Sequence, residues 1–173
     1  MKKPLIVIPT YNEYENIGEM IPRLLALPVG AHVTFHADTI YVLDGIVFVD
    51  SLATLTIEPG TIVKAENGTD LEASGLVVTR YAQIFAEGTA CNPIIFTSVD
   101  DTITEVYHKS NLDHTDKGLW GGVILLGRAT TNNTSDLKAI EGVNSIAGEG
   151  DTRPFYGGTD GVDRDDNHSS GIM

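Results

Sequence analysis

This chain has little cysteine, little positive charge and no long apolar run. Cys91 is the only cysteine among 173 residues, which excludes an internal disulfide and any cysteine-cluster metal site. Set in Cys91-Asn92-Pro93 with no CxxC neighbour, it reads as a quiet free thiol. Lys plus Arg number 11 against 24 Asp plus Glu, a net charge of −13, so phosphate backbones and anionic lipid surfaces are repelled and nucleic acid is not an expected partner. No apolar stretch approaches the roughly 20 residues a membrane helix needs, so no membrane span is expected. The opening run Leu5 to Ile8 is broken by Pro9 and followed by Asn12, Glu13 and Glu15, far short of a signal-peptide core, so the chain as written is expected to stay cytoplasmic. The five histidines, His32, His36, His108, His114 and His168, are scattered with no HExxH and are expected at the solvent-exposed surface.

What is present falls into two unequal patterns. Leu5-Ile6-Val7-Ile8 suits a buried strand, Pro9-Thr10-Tyr11-Asn12-Glu13 is turn-forming, and Ile17, Met20, Ile21, Leu24 and Leu25 recur at helical spacing, with Asn12 or Asn16 as cap. The stretch 1–27 resembles the first βα unit of family-2 glycosyltransferases, in particular the dolichol-phosphate mannosyltransferase-like branch. That resemblance implies nucleotide contacts at Pro9, Tyr11 and Glu13, and Mg or Mn bridging the donor diphosphate. The Asp-Asp-Gly-Ser-type turn that should follow a second strand is missing. Its nearest counterpart, Val42-Leu43-Asp44-Gly45, runs on into the apolar Ile46-Val47-Phe48-Val49, and the βα alternation stops after Leu27.

The remainder repeats. GIVFVDSLATLTIEPGT (45–61) and GLVVTRYAQIFAEGT (75–89) share a plan of glycine, apolar strand, polar corner, second strand, then Glu and a Gly-Thr turn. Gly45 aligns with Gly75, Ala53 with Ala82, Leu55 with Ile84 and Glu58 with Glu87. Each Gly-Thr leads to another apolar run, Ile62-Val63 and Ile94-Ile95-Phe96, and a third copy begins at Gly121, after an insertion over about 100–118. Short strands repeating at this period mark a solenoid, and three strands per turn predict a mainly β chain, a right-handed parallel β-helix of two to three coils. Val47, Val49, Leu55, Ile57, Val77, Ile84 and Ile95 are the expected inward residues, which only stacked coils can bury. A β-sandwich is the competing architecture. Coils without a cap would leave strand edges open to self-association.

Several stretches carry a second resemblance: Ala53-Thr-Leu-Thr-Ile-Glu-Pro-Gly-Thr61, Pro93-Ile-Ile-Phe-Thr-Ser98, Leu119-Trp-Gly-Gly122, Tyr156-Gly-Gly158 and Asp165-Asp-Asn167. From 31 to 173 they are similar to the repeat region of bacterial, Bacteroidetes-like surface or secreted parallel β-helix proteins. The resemblance implies an extracellular or cell-surface setting and mostly no assigned enzyme activity. The change of pattern at Pro28-Val29-Gly30 suggests a composite of the two parts, with a Gly/Asp-rich C-terminal segment.

Site candidates are few. Asp160, Asp163 and Asp165, with Asp166, form an acidic loop that could hold Ca, though without EF-hand spacing; otherwise no cofactor is expected. Trp120, before Gly121-Gly122, is a carbohydrate-stacking platform or a corner aromatic packed over glycine. Glu58 and Glu87 hold equivalent repeat positions, and either form a carboxylate pair for glycoside chemistry or serve structurally at a corner. No catalytic residue is assigned. The expected function is a non-catalytic structural or adhesive module, with polysaccharide or cell-surface components as partners. The alternatives are a glycosyltransferase remnant of the polyprenyl-phosphate sugar-transfer type and a polysaccharide-active β-helix.

Overall fold

A computed structural model describes residues 3–7, 30–129, 131, 137–143, 150–158 and 169–172. Pro9, Tyr11, Glu13 and the helix expected after them lie outside the described residues, as do Asp160, Asp163 and Asp165. The described chain is built from short strands stacked in three parallel sheets. Sheet A has the order β1 (Lys3–Val7), β3 (Thr39–Leu43), β6 (Ile62–Ala65), β9 (Ile95–Ser98). Sheet B runs β2 (His32–Phe35), β5 (Thr54–Ile57), β8 (Gln83–Glu87), β13 (Ser170–Ile172), and sheet C runs β4 (Ile46–Val49), β7 (Gly75–Val78), β10 (Val123–Leu125). Every pairing in these sheets is parallel. Chain order visits B, A and C in turn three times, which is a parallel β-helix of three coils.

The expected repeat is observed, with one slip. Leu55 pairs with Ile84, and Ile62 and Val63 pair with Ile95 and Phe96, as aligned. In sheet C, however, Ile46 rather than Gly45 pairs with Gly75. Because side chains alternate with period two, that one-residue offset exchanges faces. Leu76 and Val78 join the main core, whereas Val77, expected inside, packs outside sheet C. In sheet A, Phe96 rather than Ile95 packs against the core. The first coil also begins earlier than the sequence copies suggested, at His32. Its sheet A to sheet C corner is only Asp44-Gly45, so its spacing to the next coil is shorter and hid the match.

Two apolar clusters hold the stack. Inside the helix, Phe35, Tyr41, Leu43, Leu55, Ile57, Val63, Leu76 and Val78 pack together, with Leu43 and Leu76 fully buried. Phe35 and Tyr41 stack with centroids 3.9 Å apart, and the Tyr41 hydroxyl accepts the His36 amide at 2.8 Å, so this inward phenol is satisfied. Outside sheet C, Ile46, Val77, Leu126 and Val143 form the second cluster with Phe48, Ile140 and Tyr156. It lies beneath the antiparallel hairpin of β11 (Lys138–Ala139) and β12 (Phe155–Tyr156). β4 and β7 of sheet C are therefore covered on both faces, which explains why they are continuous apolar runs without alternation, whereas β10 at the sheet's edge leaves Leu125 59% exposed.

The opening strand takes an unexpected place. β1 pairs in parallel with β3, from Lys3 opposite Thr39 to Val7 opposite Leu43, so it forms the edge of the solenoid sheet. Among the described residues no helix is long and apolar enough to cross a membrane.

Candidate functional site

The corners joining sheet B to sheet A are short and stack on one another. In the second coil Glu58-Pro59-Gly60-Thr61 closes with the Thr61 amide donating to the Glu58 carbonyl at 3.2 Å, and Gly60 sits at φ +88°. Proline then left-handed glycine is the sequence a type II turn demands. The Glu58 carboxylate reaches back to the first coil, accepting the Ala37 amide at 3.0 Å and meeting His36 Nδ1 at 3.1 Å. The Ala37 hydrogen bond, then that of His36, holds the Glu58 carboxyl below its ordinary pKa. Glu58 thus ties two corners together. Register places Glu87 one coil along from it, beyond Ala86 opposite Ile57.

The corners joining sheet A to sheet C lengthen coil by coil, over 44–45, 66–74 and 99–122. The longest is the expected insertion, and it folds back against sheet A through Asp101. That carboxylate is 3% exposed. It accepts hydrogen bonds from the Thr97 hydroxyl at 2.8 Å, the Ser110 hydroxyl at 2.8 Å and the Ile103 amide at 3.1 Å. Burial alone would raise its pKa, but the Ser110 and Thr97 bonds, then the Ile103 amide and the Lys64 charge, outweigh it and hold the group below its ordinary value. A second tie joins neighbouring corners, where the Asn67 amide donates to Asp100 at 2.6 Å and the Gly68 amide to the Leu119 carbonyl at 3.1 Å.

Between this insertion and the stacked corners runs an open groove of about 500 Å³. Its fixed wall is Ala37, Pro59, Gly60 and Asn92, one or two residues from each of the three coils, with Ile40 of β3. The other wall is Thr104-Glu105-Val106-Tyr107 of the insertion. Tyr107 is 74% exposed, an aromatic ring offered to solvent at the rim. Among the described residues Glu105 is the one carboxylate lining the groove, and it lies 3.7 Å from His108. Hydroxyl, amide and aromatic groups on an open groove that touches all three coils suit hydrogen bonding and stacking to a sugar.

Of the site candidates read from the sequence, Trp120, Glu58 and Glu87 lie among the described residues. Trp120 is half-buried and packs against the main core, beside Gly121, whose amide donates to the Ser74 carbonyl at 2.7 Å. His32, His36, His108 and His114 are all exposed, and Cys91 is a free, exposed thiol. Among the described residues no three His, Cys, Asp or Glu side chains gather as metal ligands do. Sequence reasoning missed Tyr107 and the groove, because the insertion carries no repeat signal and its position over the corners depends on Asp101.

Three coils of parallel strands with a groove along one flank define a parallel β-helix. The model of the pectate-lyase like beta helix domain matches residues 28–173, and the chain belongs to that family. No curated protein and no solved structure matches it.

Proposed function

We propose that this chain is a non-catalytic β-helix module of a surface or secreted protein that holds a neutral glycan in the groove between the stacked corners and the insertion. The observation that carries this reading is the open trough crossing three coils with Tyr107 exposed at its rim. The net charge of −13 disfavours a polyanionic chain, whose approach would be opposed over the whole surface. A neutral sugar polymer meets no such barrier. Hydrolysis by the usual pair of carboxylates, about 5–9.5 Å apart across the bond, finds support among the described residues in only one lining carboxylate, Glu105.

Calorimetric titration with soluble neutral oligosaccharides, alongside an assay for released reducing ends, tests the proposal. Binding that weakens about tenfold or more in Tyr107→Ala, without product formation, is expected. Product release abolished by Glu105→Gln would instead establish a polysaccharide-active enzyme. A calcium role for the Asp160, Asp163 and Asp165 loop predicts a melting temperature that falls on adding a chelator.

The glycosyltransferase reading of the opening rests on its sequence motif alone. The family match begins at residue 28, and the one Asp-x-Asp triplet in the sequence, the pattern by which the resemblance would hold Mg or Mn, is Asp163-Arg164-Asp165, far downstream and outside the described residues. Titration with UDP- and GDP-sugars in Mg or Mn, repeated with Tyr11→Ala, decides whether the motif binds a nucleotide.

A further inference from the structure

Two neighbouring corners are tied through one dipeptide. Asn67-Gly68 lies in the corner that joins sheet A to sheet C in the second coil, and Asn67 is the only asparagine of the chain followed by glycine. In such a pair the backbone closes readily on its own side-chain amide, because glycine puts no Cβ in the path of its nitrogen and leaves the chain free to bend. Packing explains why both residues are there. A methyl group on Gly68 would collide with the Glu72 carbonyl oxygen, so glycine is the residue that fits, and Asn67 supplies both halves of a tie to the longer corner. Its Nδ2 donates to Asp100 Oδ2 at 2.6 Å, and its Oδ1 accepts the Ser98 hydroxyl at 2.5 Å. The backbone is held on either side, with the Glu66 amide donating to the Leu43 carbonyl at 2.8 Å and the Gly68 amide to the Leu119 carbonyl at 3.1 Å.

We propose that Asn67 is a site of spontaneous deamidation, closed while the two corners are tied and open when they part, and that its conversion keeps the tie from re-forming. The Gly68 nitrogen gives up its proton to water and attacks Asn67 Cγ, closing a succinimide ring as the side-chain nitrogen takes up a proton and leaves as ammonia. Water then opens the ring at either carbonyl, leaving aspartate, or isoaspartate where the chain continues through the former side chain. One water is consumed, one ammonia is released, and nothing is oxidised or reduced. In the tied corner every reacting group is engaged: the attacking N–H by Leu119, the leaving nitrogen by Asp100 and the amide oxygen by Ser98. Turning the side chain onto the Gly68 nitrogen breaks these bonds. Water is at hand, since Asn67 is exposed. The product cannot stand in for its parent. A carboxylate at position 67 has no N–H for Asp100 and sets a second negative charge beside it, on a chain already at −13. The insertion that carries one wall of the groove thereby loses an attachment, while its bonds through Asp101 remain.

The test follows Asn67 by peptide mapping while the intact protein is incubated at mildly alkaline pH, beside the same chain unfolded in guanidinium chloride. Conversion at Asn67 at least about tenfold slower in the folded protein is expected, because the reaction waits on local opening. Asp101→Ala, which frees the insertion, should speed conversion while circular dichroism still reports a folded chain. If that variant does not fold, Ser98→Ala, which removes the hydroxyl bound to Asn67 Oδ1, carries the comparison. Asn67→Asp, the product written into the chain, should fold and exchange its Gly68 amide hydrogen faster than wild type. Equal conversion of Asn67 in the folded and unfolded chains overturns the proposal, as does no conversion in either. Gly68 exchange in Asn67→Asp as slow as in wild type also overturns it, since the modification would then leave the tie intact.

Discussion

Asp101→Ala should release the insertion from sheet A, and its effect can be worked from the three hydrogen bonds it loses. Each joins a charged acceptor to a neutral donor and is worth about 1.5–3 kcal/mol. Both hydroxyls, on Thr97 and Ser110, can rotate toward water or a carbonyl once the carboxylate is gone, so the sum is not lost in full. The expected destabilisation is about 2–4 kcal/mol, a large part of the roughly 5–15 kcal/mol that a folded domain has. With a urea slope of about 1–3 kcal/mol per molar, the unfolding midpoint should fall by about 1 M or more. Asp101→Asn should also destabilise, since its NH2 group confronts donors where the carboxylate presented acceptors. Hydrogen exchange adds a local signature, with amides over 102–112 losing protection well before those of β5 and β6. Folding lowers the Asp101 pKa, so its contribution is fully present above the ordinary carboxylate range and is lost as pH falls through the folded-state value. Wild type and variant should therefore converge in acid. An Asp101→Ala protein within 0.5 kcal/mol of wild type by the linear extrapolation, with the insertion still protected, would refute this account of the latch.

Further outcomes follow from the core and corners. Leu76→Ala, at a fully buried inward position, should lose about 2–5 kcal/mol in chemical denaturation. Gly75→Ala would bring a methyl group to 3.0 Å from the Gly122 carbonyl oxygen and 3.3 Å from Ile46 Cδ1, so a loss of about 1–3 kcal/mol is expected in the same assay. Glu58→Gln should flatten the acid limb of stability against pH, because the lowered Glu58 pKa makes the ionised form the stabilising one; NMR titration of the Glu58 carboxyl should find it below the ordinary range.

The solenoid was legible in the sequence because every coil needs the same chemistry at the same place. The Leu55 and Ile84 equivalence and the Glu-Pro-Gly-Thr corner survive in the fold. Legibility ended where chain length ceased to be periodic. Asp44-Gly45 is too short a corner to reveal the first coil, and alignment of Gly45 with Gly75 was one residue out, enough to send Val77 to the wrong face. A glycine supplies no side chain to mark its face, whereas Ile46 opposite Gly75 does so only in three dimensions. The groove was illegible for a different reason. Its first wall is drawn from one or two residues of each of three separate coils, and the non-repetitive insertion 100–118 is held against sheet A through a buried carboxylate, Asp101, that composition cannot distinguish from the other acidic residues.

The last strand of sheet B has a bearing on the order of folding. Contacts between neighbouring coils span 22 residues between His36 and Glu58 and 29 between Thr54 and Gln83, whereas the Ile84 amide finds the Ser169 hydroxyl 85 residues away. Closing the longer span rather than the 29-residue one costs about 1 kcal/mol more in chain entropy, and contacts so remote in sequence form slowly. The three coils can zip up from neighbour to neighbour while β8 still shows an unpaired edge. Sequence separation thus predicts that Ser170–Ile172 pairs with β8 after the coils have stacked, and that until then this edge is open to pairing between two folding molecules.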